Sequence, residues 1–208
     1  MKKVLLLVLV GMMFAGDALA VDPSSLRSAE TGAIKLPSPQ KTIGKPLMEV
    51  IGSRRTVREF SDKPMDLQTL SNLLWATFGI SSEDGKRTIP TARNKQNLKV
   101  YALLKSGSYF YDAKANRLEP VSGEDIRGKS GSQSNLLKGA SVILVFVEEA
   151  GDRFNMYNTG AASQNASLFA ESEGWNSLVV GSFHEDVLRQ ALNINKDEEI
   201  KMIQAVGK

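Results

Sequence analysis

Helix-like and strand-like patterns alternate along this chain, which predicts the α/β or α+β class. Three stretches carry the prediction. Val142 to Val147 (VILVFV) is an unbroken, mostly β-branched run, the composition of a central strand covered on both faces. Leu67, Leu70, Leu73, Leu74 and Phe78 recur at spacings of three and four, the period of a helix with one apolar face. Tyr109 to Asp112 and Arg117 to Val121 flank a polar turn over 112–116, as in a β-hairpin.

Taken in order, the first element is a leader. Lys2 and Lys3 precede an apolar run from Val4 to Val10, continued through Ala15, and Ala18-Leu19-Ala20 has small residues at the cleavage positions. This reads as a secretory signal over 1–20, since the apolar stretch falls short of the roughly 18 residues of a membrane span. No cysteine and no twin arginine accompany it, so Sec-type export without lipidation is expected, to the periplasm or beyond. Residues 21–46 hold Pro23, Pro37, Pro39 and Pro46 with Gly32 and Gly44 and show no apolar period. They read as an extended arm or linker, wrapping a partner subunit or serving as a loose tether.

The folded domain is expected over 47–208. Leu47 to Ile51 reads as a short helix ended by Gly52, and Ser53 to Phe60 as an extended segment. Asp66 is placed to cap the helix that Gly79 stops. Ser81 to Lys86 is a polar loop. Leu98 to Leu104 is a strand. The small residues Gly160, Ala161, Ala162, Ser163, Ala166, Ser167 and Ala170 predict a helix over 158–173 packed closely on another backbone. Leu178 to Val180 is a strand, Glu185 to Leu192 a helix and Ile200 to Val206 a final strand.

Composition narrows the chemistry. The 208 residues include no cysteine and one histidine, His184. Disulfides, thiolate metal sites, cysteine nucleophiles and multi-histidine metal sites are thereby excluded. A net charge of +3 is too small to predict nucleic-acid binding. Gly123 to Ser130 fits G-x-x-x-x-G-K-S, but Glu124 and Asp125 put negative charge where phosphates would sit, and the preceding stretch contains Pro120. A solvated loop is the expected reading. No G-x-S-x-G elbow exists to pair with His184, which reads as a surface or helix-start residue.

Arg54, Arg55 and Arg58 with Thr56 are more telling. In an extended segment Thr56, Arg58 and Phe60 share one face, and Arg55 and Val57 the other. Guanidinium plus hydroxyl is suited to binding a phosphate; a solvated charged edge is the alternative.

Five stretches, in order, resemble the nitroreductase family of FMN-dependent oxidoreductases. Arg54-Arg55-Thr56-Val57-Arg58-Glu59-Phe60 is similar to its R-R-S-x-R-x-F opening. Leu70 to Ile80 resembles the L-x-x-L-L-W-A-x-x-G-I stretch of the SagB-type (azoline) dehydrogenase branch. Arg87 to Asn97 is similar to R-x-x-P-S-A-G-N-x-Q-P, with Arg93 in place of the usual glycine and Asn97 in place of the proline. Gly160 to Gly174 resembles G-x-A-x-Q-N-x-x-L-x-A-E-x-x-G, and Val180-Gly181-Ser182-Phe183 the V-G-x-F that follows.

The resemblance implies an α+β sandwich, a mainly antiparallel central sheet surrounded by helices, assembled as an intertwined homodimer with FMN at the interface. It implies that Arg54 holds the FMN phosphate beside Arg55 and Thr56, and that Arg58 lies at the pyrimidine edge of the flavin. Pro90, Thr91, Ala92, Asn94 and Gln96 would line the flavin from the partner subunit. Gly181 and Ser182 would bring backbone N–H groups to flavin N5, and Lys208 would sit near the phosphate. The implied activity is hydride transfer through the flavin to a small electrophile (a nitro compound, quinone or heterocycle), with NAD(P)H as donor. A non-catalytic flavin-binding protein of the cell envelope on the same fold is the alternative. Neither metal nor nucleic acid is expected as a partner, nor a membrane span after signal cleavage.

Overall fold

The computed structural model describes residues 32–208. The expected leader and residues 21–31 of the arm lie outside the described residues. The strands are β1 (Ile34–Lys35), β2 (Lys99–Leu104), β3 (Gly107–Asp112), β4 (Arg117–Ser122), β5 (Val142–Glu149), β6 (Asn176–Val180) and β7 (Glu198–Gly207). They form one sheet in the order β1-β4-β3-β2-β5-β7-β6, antiparallel at every pairing. That settles the class as α+β. The helices are α1 (Leu47–Ser53), α2 (Leu67–Phe78), α3 (Ser134–Gly139), α4 (Asn155–Ser172) and α5 (Glu185–Leu192).

The alternation of a strand divides the core in two. Val142, Leu144 and Phe146 of β5 face α2 and α4, where they meet Leu70, Leu73, Leu74, Ala162, Ala166 and Ala170. Ile143, Val145 and Val147 face the other side, against Leu137, Leu188, Leu192 and Ile203. All six β5 residues are fully buried, as a strand covered on both faces must be. The alanines of α4 let its backbone sit close to the sheet.

Local chemistry accounts for the boundaries. Asp66 caps α2, its carboxylate accepting from Thr69 N–H at 2.8 Å. Gly79 ends α2 at φ −71°, outside the left-handed region, and is needed because a Cβ there would lie 2.6 Å from the Trp75 carbonyl oxygen. Part of the expected arm belongs to the folded body. β1 pairs with β4, Leu36 is buried in the core, and the Pro37 carbonyl accepts from Ser71 Oγ at 2.6 Å and Asn116 Nδ2 at 2.8 Å. Pro37 has no N–H, so the pairing ends there.

The 123–130 loop is anchored, where a solvated loop was expected. Arg127 is only 2% exposed. Its guanidinium donates to the Asp125 carboxylate at 2.9 Å, to Asp62 at 3.3 Å and to the Ala140 carbonyl at 2.5 Å. Lys129 pairs with Glu124 at the surface. His184 is exposed at the start of α5, with Nδ1 3.0 Å from the Lys129 carbonyl oxygen. Among the described residues no helix is long and apolar enough to cross a membrane, and no group of three or more His, Asp or Glu could hold a metal.

Candidate functional site

The arginine segment lies along the open edge of β6, the last strand of the sheet. Val57 N–H donates to the Ser177 carbonyl at 3.1 Å, Asn176 Nδ2 donates to the Glu59 carbonyl at 3.0 Å, and Ser61 N–H donates to the Lys208 carbonyl. Phe60 locks the register. Its ring lies where a Cβ on Gly207 would be, 2.8 Å from ring carbon Cδ1, and its carbonyl oxygen would be 2.9 Å from a Cβ on Gly139. Arg54 caps α1, its N–H bonded to the Val50 carbonyl at 2.9 Å, and is half-buried. Arg55 folds back on its own backbone, donating to the Gly52 carbonyl at 3.0 Å and the Arg54 carbonyl at 2.9 Å. Thr56 and Arg58 are exposed. Neither Arg54 nor Arg58 is ion-paired with a described carboxylate.

A second element is the loop 87–97. Arg87 stacks on the Phe78 ring at 4.4 Å and donates to the Gln96 side-chain oxygen at 3.0 Å. Gln96 donates in turn to the Asn94 side chain at 3.0 Å, and its N–H reaches Thr91 Oγ1 at 3.3 Å. Gln96 therefore braces the loop from within. Arg93, Asn94 and Gln96 have φ of 55°, 54° and 53°. Three left-handed non-glycine residues in four positions are strained backbone, held by these bonds. At position 93 glycine would be free of that strain. The Asn97 side-chain amide is buried with no hydrogen-bond partner among the described residues.

Helix α4 ties the loop to the core. Asn165 Nδ2 donates to the Ala76 carbonyl at 3.0 Å and the Thr88 carbonyl at 3.3 Å. Asn158 accepts from Ala92 N–H at 3.2 Å and donates to the Glu148 carboxylate at 3.0 Å, while Thr159 donates to the other Glu148 oxygen at 2.9 Å. Burial is the main influence on Glu148 and raises its carboxyl above the usual carboxylate range; the bonds from Asn158 and Thr159 oppose it.

Gly181 and Ser182 follow the last β6–β7 pair, Val180 with Ile203, and are exposed. Ser182 Oγ is 3.2 Å from Ser132 Oγ. Lys208 stands at the other end of β6, roughly 16 Å away at strand rise. Its ammonium is bonded to the Gly174 carbonyl and lies 4.9 Å from the Trp175 ring centroid. The structure thus gathers Arg54 to Arg58 along β6, keeps Pro90 to Gln96 together on a separate loop, and puts Lys208 beside Ser61. Between α1, α2 and α4 runs an apolar groove of about 450 Å³, lined by Leu47, Val50, Trp75, Leu168 and Phe169 among others.

A model of the nitroreductase family matches residues 51–208. The chain belongs to that family. As a nitroreductase-family oxidoreductase it is similar to a candidate nitroreductase of Ralstonia eutropha JMP134, at 33% identity and TM-score 0.78, over 88% of this chain and 93% of that one. A candidate nitroreductase of Methanocaldococcus jannaschii is 25% identical over 169 residues, 72% of this chain and 85% of its own. Two more distant structures share the fold. One is a candidate nitroreductase of Desulfovibrio desulfuricans in complex with FMN, 19% identical with TM-score 0.59, over 78% of this chain and 86% of that one. The other is a chain of the Escherichia coli microcin synthetase McbBCD complex, 19% identical with TM-score 0.63, over 86% of this chain and 79% of that one.

The sequence assigned no role to Asn158 or Thr159, and Glu148 read only as a carboxylate ending an apolar strand, a common pattern. Nor did it assign one to Arg153 and Phe154, which stand next to Arg93.

Proposed function

We propose that this chain is an exported, homodimeric FMN-dependent oxidoreductase that reduces a small electrophile, a nitro compound, quinone or heterocycle, with NAD(P)H as donor. The observation that carries the reading is the arginine segment along β6, where Arg54 and Arg58 have no described carboxylate to neutralise them. The donor set fits FMN: guanidinium groups and the Thr56 hydroxyl for the phosphate, a strained braced loop, and backbone N–H groups after β6. The FMN complex of the Desulfovibrio neighbour supports the same choice. Export rests on the Lys2–Lys3, apolar-run and Ala18–Ala20 pattern.

When bound, FMN supplies two-electron hydride exchange at N5. This chain's residues bind and orient it. Arg54, with Arg55 and Thr56, anchors the phosphate by charge-assisted hydrogen bonds. Arg58 would supply positive charge at the pyrimidine edge, favouring the anionic reduced form. Gly181 and Ser182 would supply backbone N–H groups toward the redox-active edge of the flavin. Pro90, Thr91, Ala92 and Asn94, braced by Gln96, would line the ring from the partner subunit, and Lys208 would add a cation at the phosphate end. The homodimer is supported by Leu47, Met48 and Ile51 of α1, which are 62%, 76% and 48% exposed beside the apolar groove.

The test is the purified protein's flavin spectrum, followed by reduction with NAD(P)H and then dithionite. Bleaching by NAD(P)H and recolouring by a nitroaromatic or quinone is expected. Flavin that only dithionite reduces would favour the non-catalytic binding role. Protein unable to hold FMN even after refolding with it would remove both readings. Arg54→Ala is expected to lose roughly 1.5–3 kcal/mol of FMN affinity, measured by titration, as for a charged hydrogen bond.

A further inference from the structure

The loop that follows Ala92 carries a second basic cluster, on a different part of the surface from Arg54–Arg58. Arg93, Lys95 and Arg153 line an open cavity of about 450 Å³ together with Glu149, Asp152 and Phe154. The Lys95 ammonium is paired with Asp152 at 2.6 Å, and the other Asp152 oxygen accepts from Phe154 N–H at 3.0 Å. Asp152 is thereby fully engaged; its bond to Lys95 is the main reason its carboxyl lies below the usual range. Arg93 and Arg153 have no ion pair with a described carboxylate. Both guanidinium groups instead approach one ring, Phe154, at 5.9 Å and 4.7 Å from its centroid.

Two features make this more than a solvated basic edge. Like charges gathered around one ring repel each other, and an anion bound between them would relieve that repulsion. Arg93 also occupies φ 55°, ψ 21°, a left-handed conformation that is unfavourable for an L-residue and that glycine adopts freely. A cation is held there against backbone preference. Its position is set by the same braces that shape the flavin-lining residues just before it.

We propose that Arg93 and Arg153, seated on Phe154, form an anion subsite that selects acceptors carrying a carboxylate. This rests on the flavin reading for its place beside the reaction, since Ala92 lines the ring and Arg93 follows it directly. The guanidinium N–H groups donate to the carboxylate oxygens, and the Lys95–Asp152 pair fixes the cavity wall. Glu149 also lines the cavity and opposes a bound anion, so the two guanidinium groups must outweigh it.

The test uses the protein as purified, with 4-nitrobenzoate and its neutral analogue 4-nitrobenzamide, binding being measured by calorimetry or ligand-observed NMR without reductant. Wild type is expected to bind the benzoate at least tenfold more tightly than the amide, with the difference shrinking as salt screens the site. In the double variant Arg93→Gly, Arg153→Gln, benzoate binding should fall at least tenfold while amide binding stays within twofold. Arg153→Gln alone should give part of the loss and serves if the double variant does not fold. Lys114→Gln, on the β3–β4 turn, should change neither. Equal binding of the two probes by wild type, unchanged selectivity in the Arg153 variant, or the same loss in the Lys114 variant would overturn the subsite. Because no electron transfer is read, selective binding by a protein that cannot hold FMN would sink the flavin reading and leave the anion subsite standing.

Discussion

Glu148 is fully buried where β5 passes under α4, and both its oxygens are spoken for. Desolvation raises its carboxyl above the ordinary range, against the bonds from Asn158 and Thr159 and the charge of Lys201, with Asp152 pushing it further up. The folded state therefore holds the proton more tightly than the unfolded chain. The stability this confers is complete below the ordinary carboxylate range and is lost as pH rises through the raised value. Glu148→Gln keeps the neutral form at all pH. Its amide oxygen can accept from Asn158 and its nitrogen can donate to Thr159 Oγ1. Urea unfolding of this variant should show a flatter pH profile than wild type above the ordinary carboxylate range, and greater stability at alkaline pH. A variant whose profile parallels wild type would show that Glu148 stays ionised in the folded protein. Gly207 offers a steric counterpart. Gly207→Ala sets a Cβ 2.8 Å from Phe60 Cδ1 and 3.0 Å from Ser141 N. Since the second neighbour is backbone, the strain cannot be relieved by a side-chain rotation alone. A loss of about 1–3 kcal/mol is expected in denaturant melts, as for overpacking.

At the scale of elements, what could be read from the sequence depended on length and period. β5 was legible because six consecutive apolar residues admit little but a strand buried on both faces. α2 was legible from its leucine spacing and Asp66 cap, and the β3–β4 hairpin from its polar turn. β1 was not, because two residues between Gly32 and Pro37 show no period and its pairing with β4 joins positions some 80 residues apart. α4 begins at Asn155, ahead of the expected 158, because Asp152 accepts from the Phe154 N–H and Asn155 bonds to the Glu149 carbonyl. At the site, the arginine cluster was visible as composition. The Glu148–Asn158–Ala92 chain was not, because a strand, a helix and a loop meet there only in three dimensions. The same reasoning gives α4 its role as the post that steadies loop 87–97. Asn165→Ala leaves the Ala76 and Thr88 carbonyls without their donor and should cost about 1–3 kcal/mol. Hydrogen exchange should quicken over 80–97 before it does in β5; uniform quickening would mean the asparagine acts on the whole fold.

For the whole molecule, the proposed flavin residues lie on two separate elements around a sheet with two cores. The arginine segment lies along β6, while the loop 87–97 is pinned to α2 and α4. In the proposed homodimer, a second copy would bring one protomer's loop to the other's arginines without disturbing either core. The surface offered for that contact is apolar: Leu47, Met48 and Ile51 on α1, with Met156 and Tyr157 near the start of α4, 54% and 73% exposed. Exposed apolar residues grouped on short helical stretches favour association over solvation. Met48→Asp puts a charge into that contact and touches neither core, since Met48 is 76% exposed. Native mass spectrometry should find wild type at twice the chain mass with FMN bound, and the variant at single mass with flavin lost. Loss of FMN together with dissociation is the informative pairing, because Met48 is not among the residues assigned to the flavin. A variant that stays dimeric would mean that the apolar face of α1 serves another purpose, and a monomer that keeps its FMN would mean that the flavin residues meet within one chain.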